Sequence, residues 1–243
     1  MTTRERVDRL LVARGLFESR ARAQAAIAAG RVTADGIVVR KTSDEISAVA
    51  VIVAEPEHPY VSRGGVKLAG ALDHFGLDVT GRICLDVGAS TGGFTEMLLA
   101  RGARRVYAVD VGTGQLHSRL RGHGDIVSIE QTDIRGLDPS LVPGPPDFAT
   151  VDVSFISLKL VLPPLDDLLT PRATLLALIK PQFEAARGDN KKGIVRDAAV
   201  RAAVCDDIAA FLAGRGWRVT GLMPSPILGG DGNTEFFIGA ERG

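Results

Sequence analysis

A doubly wound α/β fold with a mostly parallel sheet, preceded by a small α/β module, is predicted from three observations. Short apolar runs such as Ile83-Cys84-Leu85 and Leu175-Leu176-Ala177-Leu178-Ile179 recur as buried parallel strands do. The first of these runs straight into a glycine-rich turn, Gly88-Ala89-Ser90-Thr91-Gly92-Gly93. A stretch with two prolines, Glu55-Pro56-Glu57-His58-Pro59-Tyr60, separates this region from what precedes it. These features divide the chain into a module over 1–55, a linker over 56–62 and a larger domain over 63–243.

In the module, the spacing predicts a helix over Val7–Ala13 with a stop at Gly15, then a second helix capped by Ser19 and ended by Gly30. Two short strands follow, joined at Asp35-Gly36. Basic side chains are closely spaced along it: Arg6, Arg9, Arg14, Arg20, Arg22, Arg31, Arg40 and Lys41. They read equally well as phosphate contacts or as a solvated face balanced by Glu5, Asp8, Glu18, Asp35, Asp44 and Glu45.

In the larger domain, the turn spacing is G-x-x-x-G-G with Asp86 ahead of it, not the G-x-G-x-x-G of dinucleotide sites, which favours S-adenosylmethionine over NAD. Asp86, Gly88, Ala89, Ser90, Gly92, Gly93 and Phe94 are the candidate contacts to that cofactor. A second strand, Arg105-Val106-Tyr107-Ala108-Val109, ends at Asp110, the position that binds ribose hydroxyls in nucleotide-binding α/β folds. A third, Ile126-Val127-Ser128-Ile129-Glu130, is followed by Asp133, and a fourth, Phe148-Ala149-Thr150-Val151, ends at Asp152. In an open parallel sheet Asp110, Asp133 and Asp152 would share the crevice outside the carboxyl edge. An aspartate after a strand also caps the next helix, and that alternative stands beside the cofactor role.

Composition narrows the function classes. The 243 residues are 45% hydrophobic and 24% charged, ordinary for a globular chain, and the formal net charge is zero, so nucleic-acid affinity has to come from local patches. Cys84 and Cys205 offer neither a metal spacing nor a disulfide framework, which fits a reducing, cytoplasmic setting. His58, His74, His117 and His123 show no ligand spacing, so no metal is expected. Neither an apolar signal region nor an eighteen-residue apolar stretch is visible, so no membrane span is expected. Met97, Phe211 and Trp217 are expected in the core.

The order Arg9-Leu10-Leu11-Val12-Ala13-Arg14-Gly15-Leu16, Ser19-Arg20, Ala28-Ala29-Gly30-Arg31-Val32, Asp35-Gly36 and Val39-Arg40-Lys41 resembles the S4 RNA-binding domain. Further on, Lys67 lies just after the linker, Asp152 ends the fourth strand, Lys180 ends the fifth, and Glu235 precedes the late strand Phe236-Phe237-Ile238. These four resemble the K-D-K-E tetrad of FtsJ-type ribose 2′-O-methyltransferases. Behind an S4 domain, they resemble the TlyA/haemolysin-A family of ribosomal RNA methyltransferases along essentially the whole chain.

The resemblance implies a Rossmann-like, mostly parallel seven-stranded sheet, S-adenosylmethionine as cofactor, and ribosomal RNA or ribosomal subunits as partner, with a cytidine ribose as acceptor. It implies RNA contacts at Arg6, Arg14, Arg20, Arg22, Arg31, Lys41 and Arg63, and catalytic roles for Lys67, Asp152, Lys180 and Glu235. A ribose 2′-hydroxyl is a weak nucleophile, and its attack on a sulfonium methyl requires a proton acceptor or a stabilised oxyanion. Lys180 is the candidate base: desolvation and a neighbouring Lys67 ammonium would favour its neutral form, while Asp152 and Glu235 would pull the other way and fix its orientation. Lys67 would steady the attacking oxygen or a phosphate, and Glu235 would orient Lys180 or Lys67. Two other classes stand against this reading: a non-catalytic RNA-binding or ribosome-assembly factor, which has no need of the complete tetrad, and a cytolysin, which needs a membrane-insertable element.

Overall fold

A computed structural model describes residues 3–186, 188–190 and 193–243, and it divides into two compact units that meet in sequence between Pro59 and Tyr60. The division lies inside the stretch expected as a linker. Residues 60–62 go with the larger unit because Ser62 caps its first helix through the Gly64 N–H, and Tyr60 lies over Gly65, where a Cβ would come within 2.5 Å of the ring.

The smaller unit runs β1 (Arg4–Arg6), α1 (Val7–Ala13), α2 (Arg20–Ala28), β2 (Val32–Ala34), β3 (Ile37–Val38), β4 (Glu45–Ser47) and β5 (Ile52–Ala54). Ser19 caps α2 by accepting from the Arg22 N–H, and Gly15 and Gly30 both take left-handed backbone where the expected helix stops fall. Asp35 and Gly36 have φ of 49° and 79°, the two positive values of a type I′ hairpin, which pairs β2 with β3. On the other side β2 pairs with β5, and β1 pairs with β4 separately; neither pairing was expected from the sequence. Val7, Leu11, Phe17, Ala23, Ile27 and Val32 form the core between the helices and the strands.

The larger unit contains α3 (Arg63–Phe75), β6 (Ile83–Val87), α4 (Gly93–Ala100), β7 (Arg105–Val109), β8 (Ile126–Ile129), β9 (Phe148–Val151), α5 (Leu158–Val161), α6 (Leu165–Leu168), β10 (Ala173–Ile179), α7 (Pro181–Glu184), α8 (Ala198–Gly214), β11 (Arg218–Pro224) and β12 (Phe236–Arg242). Among the described residues seven strands form one sheet in the order β11-β12-β10-β9-β6-β7-β8. The pairings from β10 through β8 are parallel, and β12 joins antiparallel to β10. The strand order reverses between β6 and β9, which makes their carboxyl ends the switch point where ligands enter such sheets.

Alternation along each strand divides the core. Leu85, Tyr107, Ala149, Leu175 and Ala177 pack on one face against α5, α6 and α8, while Cys84, Val106, Phe148, Leu176 and Leu178 pack on the other against α3 and α4. All seven residues of β10 are buried, as a central strand covered on both faces requires. Met97 and Trp217 are core residues, Phe211 packs partly buried against the core, and the Trp217 indole donates to Asp166 at 3.1 Å. Cys84 and Cys205 are free and buried, and burial pushes their thiols up to about 12 and about 11, which keeps them protonated and inert.

Candidate active site at the carboxyl edge of the sheet

The turn after β6 is shaped by backbone approach. Gly88 has φ of 84°, and a Cβ there would stand 2.4 Å from the Asp152 carbonyl oxygen, so only glycine lets the β6 and β9 exits touch. Beside this contact the strand ends open into a cavity of about 600 Å³, lined by Gly88, Ser90, Asp110, Asp133, Asp152 and Phe155 among others. The three strand-end aspartates therefore converge on one pocket. Asp110 is oriented within it by two backbone donors, the Ser90 N–H at 2.8 Å and the Gly112 N–H at 2.7 Å. Asp133 lines the pocket and also caps a 3-10 turn, accepting from the Arg135 N–H while holding the Arg135 guanidinium at 2.6 Å. These bonds from Arg135 hold its carboxyl below the usual range.

The other glycine-turn candidates lie elsewhere. Asp86, Ala89, Gly92, Gly93 and Phe94 are not among the lining residues, because the chain turns into α4 directly after Gly92. Gly92 packs beside Leu116 and Leu120, Gly93 lies against Ser62 and α3, and Phe94 stacks on Phe237 in the core. Asp86 is fully buried, accepting from the Thr95 hydroxyl at 2.6 Å and the Thr150 hydroxyl at 3.0 Å. Burial raises its pKa to about 6 against the pull of those two hydroxyls. Asp86 thus ties α4 to β9 beneath the pocket. Gln115, which had no sequence signal, lines the pocket and accepts from Ser90 Oγ at 3.0 Å; its loop is held by Glu130, whose carboxylate accepts from the Gly114 and Gln115 N–H groups.

The four charged candidates form two ion pairs. Lys180 Nζ lies 2.6 Å from Asp152 Oδ1 and 2.9 Å from Ser154 Oγ. Lys67 Nζ lies 2.5 Å from Glu235 Oε2, with the two residues only 8% and 2% exposed. A charge pair this deep is held by its partner, since either member alone would face a desolvation penalty of several kcal/mol. Lys67 sits on α3, ahead of β6, and of the two lysines it is Lys67 that Glu235 contacts. Gly229 makes room for this carboxylate: a Cβ there would lie 2.0 Å from Glu235 Oε1. The pairs come from adjacent positions, because Ile179 pairs with Phe236 and the next residues, Lys180 and Glu235, leave the β10–β12 ladder together.

Ser154 and Phe155 follow Asp152 and line the same pocket. Ser154 shares Lys180. Phe155 is 90% exposed, has φ of 65° and lies with its ring 5.0 Å from that of Phe183. A bulky side chain in left-handed backbone is costly, and here it leaves the ring in solvent at the rim of the pocket.

Among the basic candidates, several are engaged within their own unit. Arg6 and Arg20 both hold the buried Asp8 carboxylate, which also accepts from Gln24 and is kept far below the usual range chiefly by Arg6. Arg14 donates to the Ala48 and Ala50 carbonyls, and Arg31 pairs with Glu55 at 3.2 Å on the surface. The Arg22 N–H is the one that Ser19 caps, the Lys41 N–H donates to Asp44, and Arg63 in the larger unit donates to the Leu228 carbonyl. A guanidinium has five N–H donors, so these anchors fix Arg6, Arg14 and Arg20 in place and leave further donors for a phosphate.

A family profile described as FtsJ-like methyltransferase matches residues 60–242, the whole extent of the sheet and its pocket. The chain belongs to the FtsJ-like methyltransferase family. An S4 domain profile matches residues 5–52 ahead of it. The chain is 44% identical over 241 residues to the 16S/23S rRNA (cytidine-2′-O)-methyltransferase TlyA of Mycobacterium tuberculosis, covering 98% of this chain and 90% of that protein. It is 39% identical over 233 residues to hemolysin A of Brachyspira hyodysenteriae, covering 95% and 97%. A solved structure from Streptococcus thermophilus, described as a candidate hemolysin, superposes with a TM-score of 0.78 at 43% identity, covering all of this chain and 90% of that one. The methyltransferase family accounts for the seven-stranded sheet with its antiparallel return strand. Among the described residues no helix is long and apolar enough to cross a membrane, and no cluster of three metal-ligating side chains occurs.

Proposed function

We propose that this FtsJ-like methyltransferase uses S-adenosylmethionine to methylate a ribose 2′-hydroxyl of ribosomal RNA, with cytidine as the acceptor nucleoside. The observation that carries the reading is the Lys180–Asp152 ion pair at the rim of the strand-end pocket, with Glu235, paired to Lys67 of α3, leaving the same end of the β10–β12 ladder. The relative from M. tuberculosis, named for cytidine 2′-O-methylation of rRNA, supports the acceptor, and the S4 domain supports an RNA partner.

The pocket residues fit the cofactor. Asp110, held by two backbone amides, offers a carboxylate for the ribose hydroxyls, Val109, Val111 and Ile134 offer an apolar wall for a purine, and Gly88 and Ser90 line the turn. When bound, S-adenosylmethionine supplies an electrophilic methyl group on sulfur. Lys180 would take the 2′-hydroxyl proton during transfer, with Asp152 at 2.6 Å placed to stabilise the positive charge it carries. Ser154 and Asp152 fix the direction of the amine, and Lys67, held by Glu235, would steady the attacking oxygen or a phosphate. The exposed Phe155 ring offers a stacking face for an unstacked base, the usual mode of single-nucleotide RNA recognition.

Labelled methyl transfer from S-adenosylmethionine to small subunits, large subunits and free ribosomal RNA tests the proposal, with Lys180→Ala alongside. The expected loss of rate is roughly 10²–10⁴-fold, the range of a general base, with cofactor affinity retained and label mapped to a ribose. Cofactor binding without label on any of the three RNAs contradicts the acceptor assignment. Absence of cofactor binding leaves the RNA-binding factor.

A further inference from the structure

Two segments carry the Lys180–Asp152 pair, and they are cross-linked at three levels. At the first, Lys180 Nζ holds Asp152 and Ser154. At the second, the rings of Phe183 and Phe155 meet at 5.0 Å. At the third, Glu184 Oε2 accepts from Ser157 Oγ at 2.6 Å and Oε1 accepts from the Leu158 N–H at 2.7 Å. Residues 153–157 between β9 and α5 have neither helix nor strand pairing, and Phe155 within them takes a costly left-handed conformation. The Asp152 N–H is fixed at the near end by the Val87 carbonyl. The far end is fixed by Glu184.

We infer that Glu184 is a positioning residue: its carboxylate clasps Ser157 and Leu158, and thereby sets the loop that carries Ser154 and Phe155 against Lys180. The inference rests on the methyl-transfer reading and assigns Glu184 no contact with substrate or cofactor. Without the clasp, the loop relaxes toward ordinary backbone angles, Ser154 leaves Lys180 and the amine loses one of the two partners that aim it. Displacement of a reacting group by about 1 Å is sufficient to lower a rate roughly 100-fold.

The test uses the full chain with three variants, Glu184→Ala, Glu184→Gln and Ser157→Ala. Glutamine keeps both contacts, since its amide oxygen accepts from the Leu158 N–H and its amide N–H₂ donates to the Ser157 hydroxyl oxygen. Glu184→Ala is expected to lower kcat roughly 10–100-fold, with the KM for RNA and the affinity for S-adenosylhomocysteine changed by less than about threefold. Glu184→Gln is expected to recover most of kcat, and Ser157→Ala to fall between them. Amide hydrogen exchange should quicken over 153–158 in the alanine variant and return to the original rate in the glutamine variant. A structural role alone moves stability without this split or rescue. Wild-type kcat in Glu184→Ala overturns the inference, as does equal loss in the Ala and Gln variants, which would assign the effect to charge. Should Glu184→Ala be insoluble, the Gln and Ser157→Ala results decide alone. If the unmodified chain methylates no RNA, the functional reading has failed; if it does so and Lys180→Ala is inactive while Glu184→Ala is not, only the clasp has failed.

Discussion

Asp86 lies beneath the cofactor turn with no exposed surface, and replacing it with asparagine gives a measurable change in how stability depends on pH. Its carboxyl is raised from 3.8 to about 6, mainly by burial. As pH rises from 4 toward 6, the unfolded chain gives up this proton first and the folded chain keeps it. The native state then binds more protons than the unfolded one, so stability declines as pH rises through that window. At roughly 1.4 kcal/mol per pH unit of pKa difference, the ionised, buried Asp86 lowers stability by about 3 kcal/mol at neutral pH relative to pH below 4. An asparagine side chain has no proton to lose. Its oxygen can accept from Thr95 or Thr150, while its N–H₂ faces the other hydroxyl, at a cost of about 1 kcal/mol for one rearranged hydrogen bond. Asp86→Asn is therefore expected to be less stable than the parent by about 1 kcal/mol near pH 4 and more stable by about 2 kcal/mol near pH 8. Urea unfolding followed by Trp217, the single tryptophan and a buried core residue of the larger unit, reads this difference directly. The difference between the two proteins cancels the other titrating groups. Parallel stability curves from pH 4 to pH 8 would refute the reasoning, because the carboxyl would then have the same pKa folded and unfolded.

Two further outcomes follow from the pocket. Asp110→Ala removes the carboxylate held by the Ser90 and Gly112 amides, and titration calorimetry with S-adenosylhomocysteine should show roughly 10–100-fold weaker binding, about 1.5–3 kcal/mol for charge-assisted bonds, with RNA affinity unchanged. Phe155→Ala removes an exposed ring whose packing adds little to the core; loss of a stacked base costs about 1–3 kcal/mol, so the KM for RNA should rise roughly 5–150-fold while thermal stability holds. An unchanged KM would show that the ring meets no base.

The features legible in sequence are those set by chain-local rules. Helix α1, the Ser19 cap and the Asp35-Gly36 hairpin follow from short-range spacing, and the strand-end aspartates follow from apolar runs that stop at an acid. Helix α3 was not legible for a physical reason. Gly64, Gly65 and Gly70 interrupt Arg63–Phe75 and lower its helix propensity, yet tertiary approach demands small residues there: a Cβ on Gly65 meets Tyr60 at 2.5 Å, and one on Gly64 meets Phe94 at 3.3 Å. Asp86 is contiguous in sequence with the glycine-rich turn, and contiguity alone does not say which way its side chain points. Side chains in a strand alternate between faces, and Asp86 points to Thr95 and Thr150. The Glu184 clasp joins the end of α7 to the start of α5, 26 and 27 positions apart, where no periodicity operates.

The position of Glu235 shows how topology brings a late carboxylate to the carboxyl edge of the sheet. In the parallel part of the sheet, residues that follow a strand reach the pocket edge: Gly88 after β6, Asp110 after β7, Asp152 after β9 and Lys180 directly after Ile179. A parallel β12 would bring whatever follows it to that edge and leave Glu235 at the opposite one. Because β12 runs antiparallel to β10, Phe236 pairs with Ile179 and the residue preceding the strand arrives beside Lys180. The return strand thus places a carboxylate from late in the chain against Lys67, 168 positions earlier, at 2.5 Å. The glycine at 229 preserves the space for that carboxylate. Strand direction, not sequence proximity, closes the second ion pair, and any rearrangement that turned β12 around would separate Glu235 from Lys67 while leaving the cofactor turn intact.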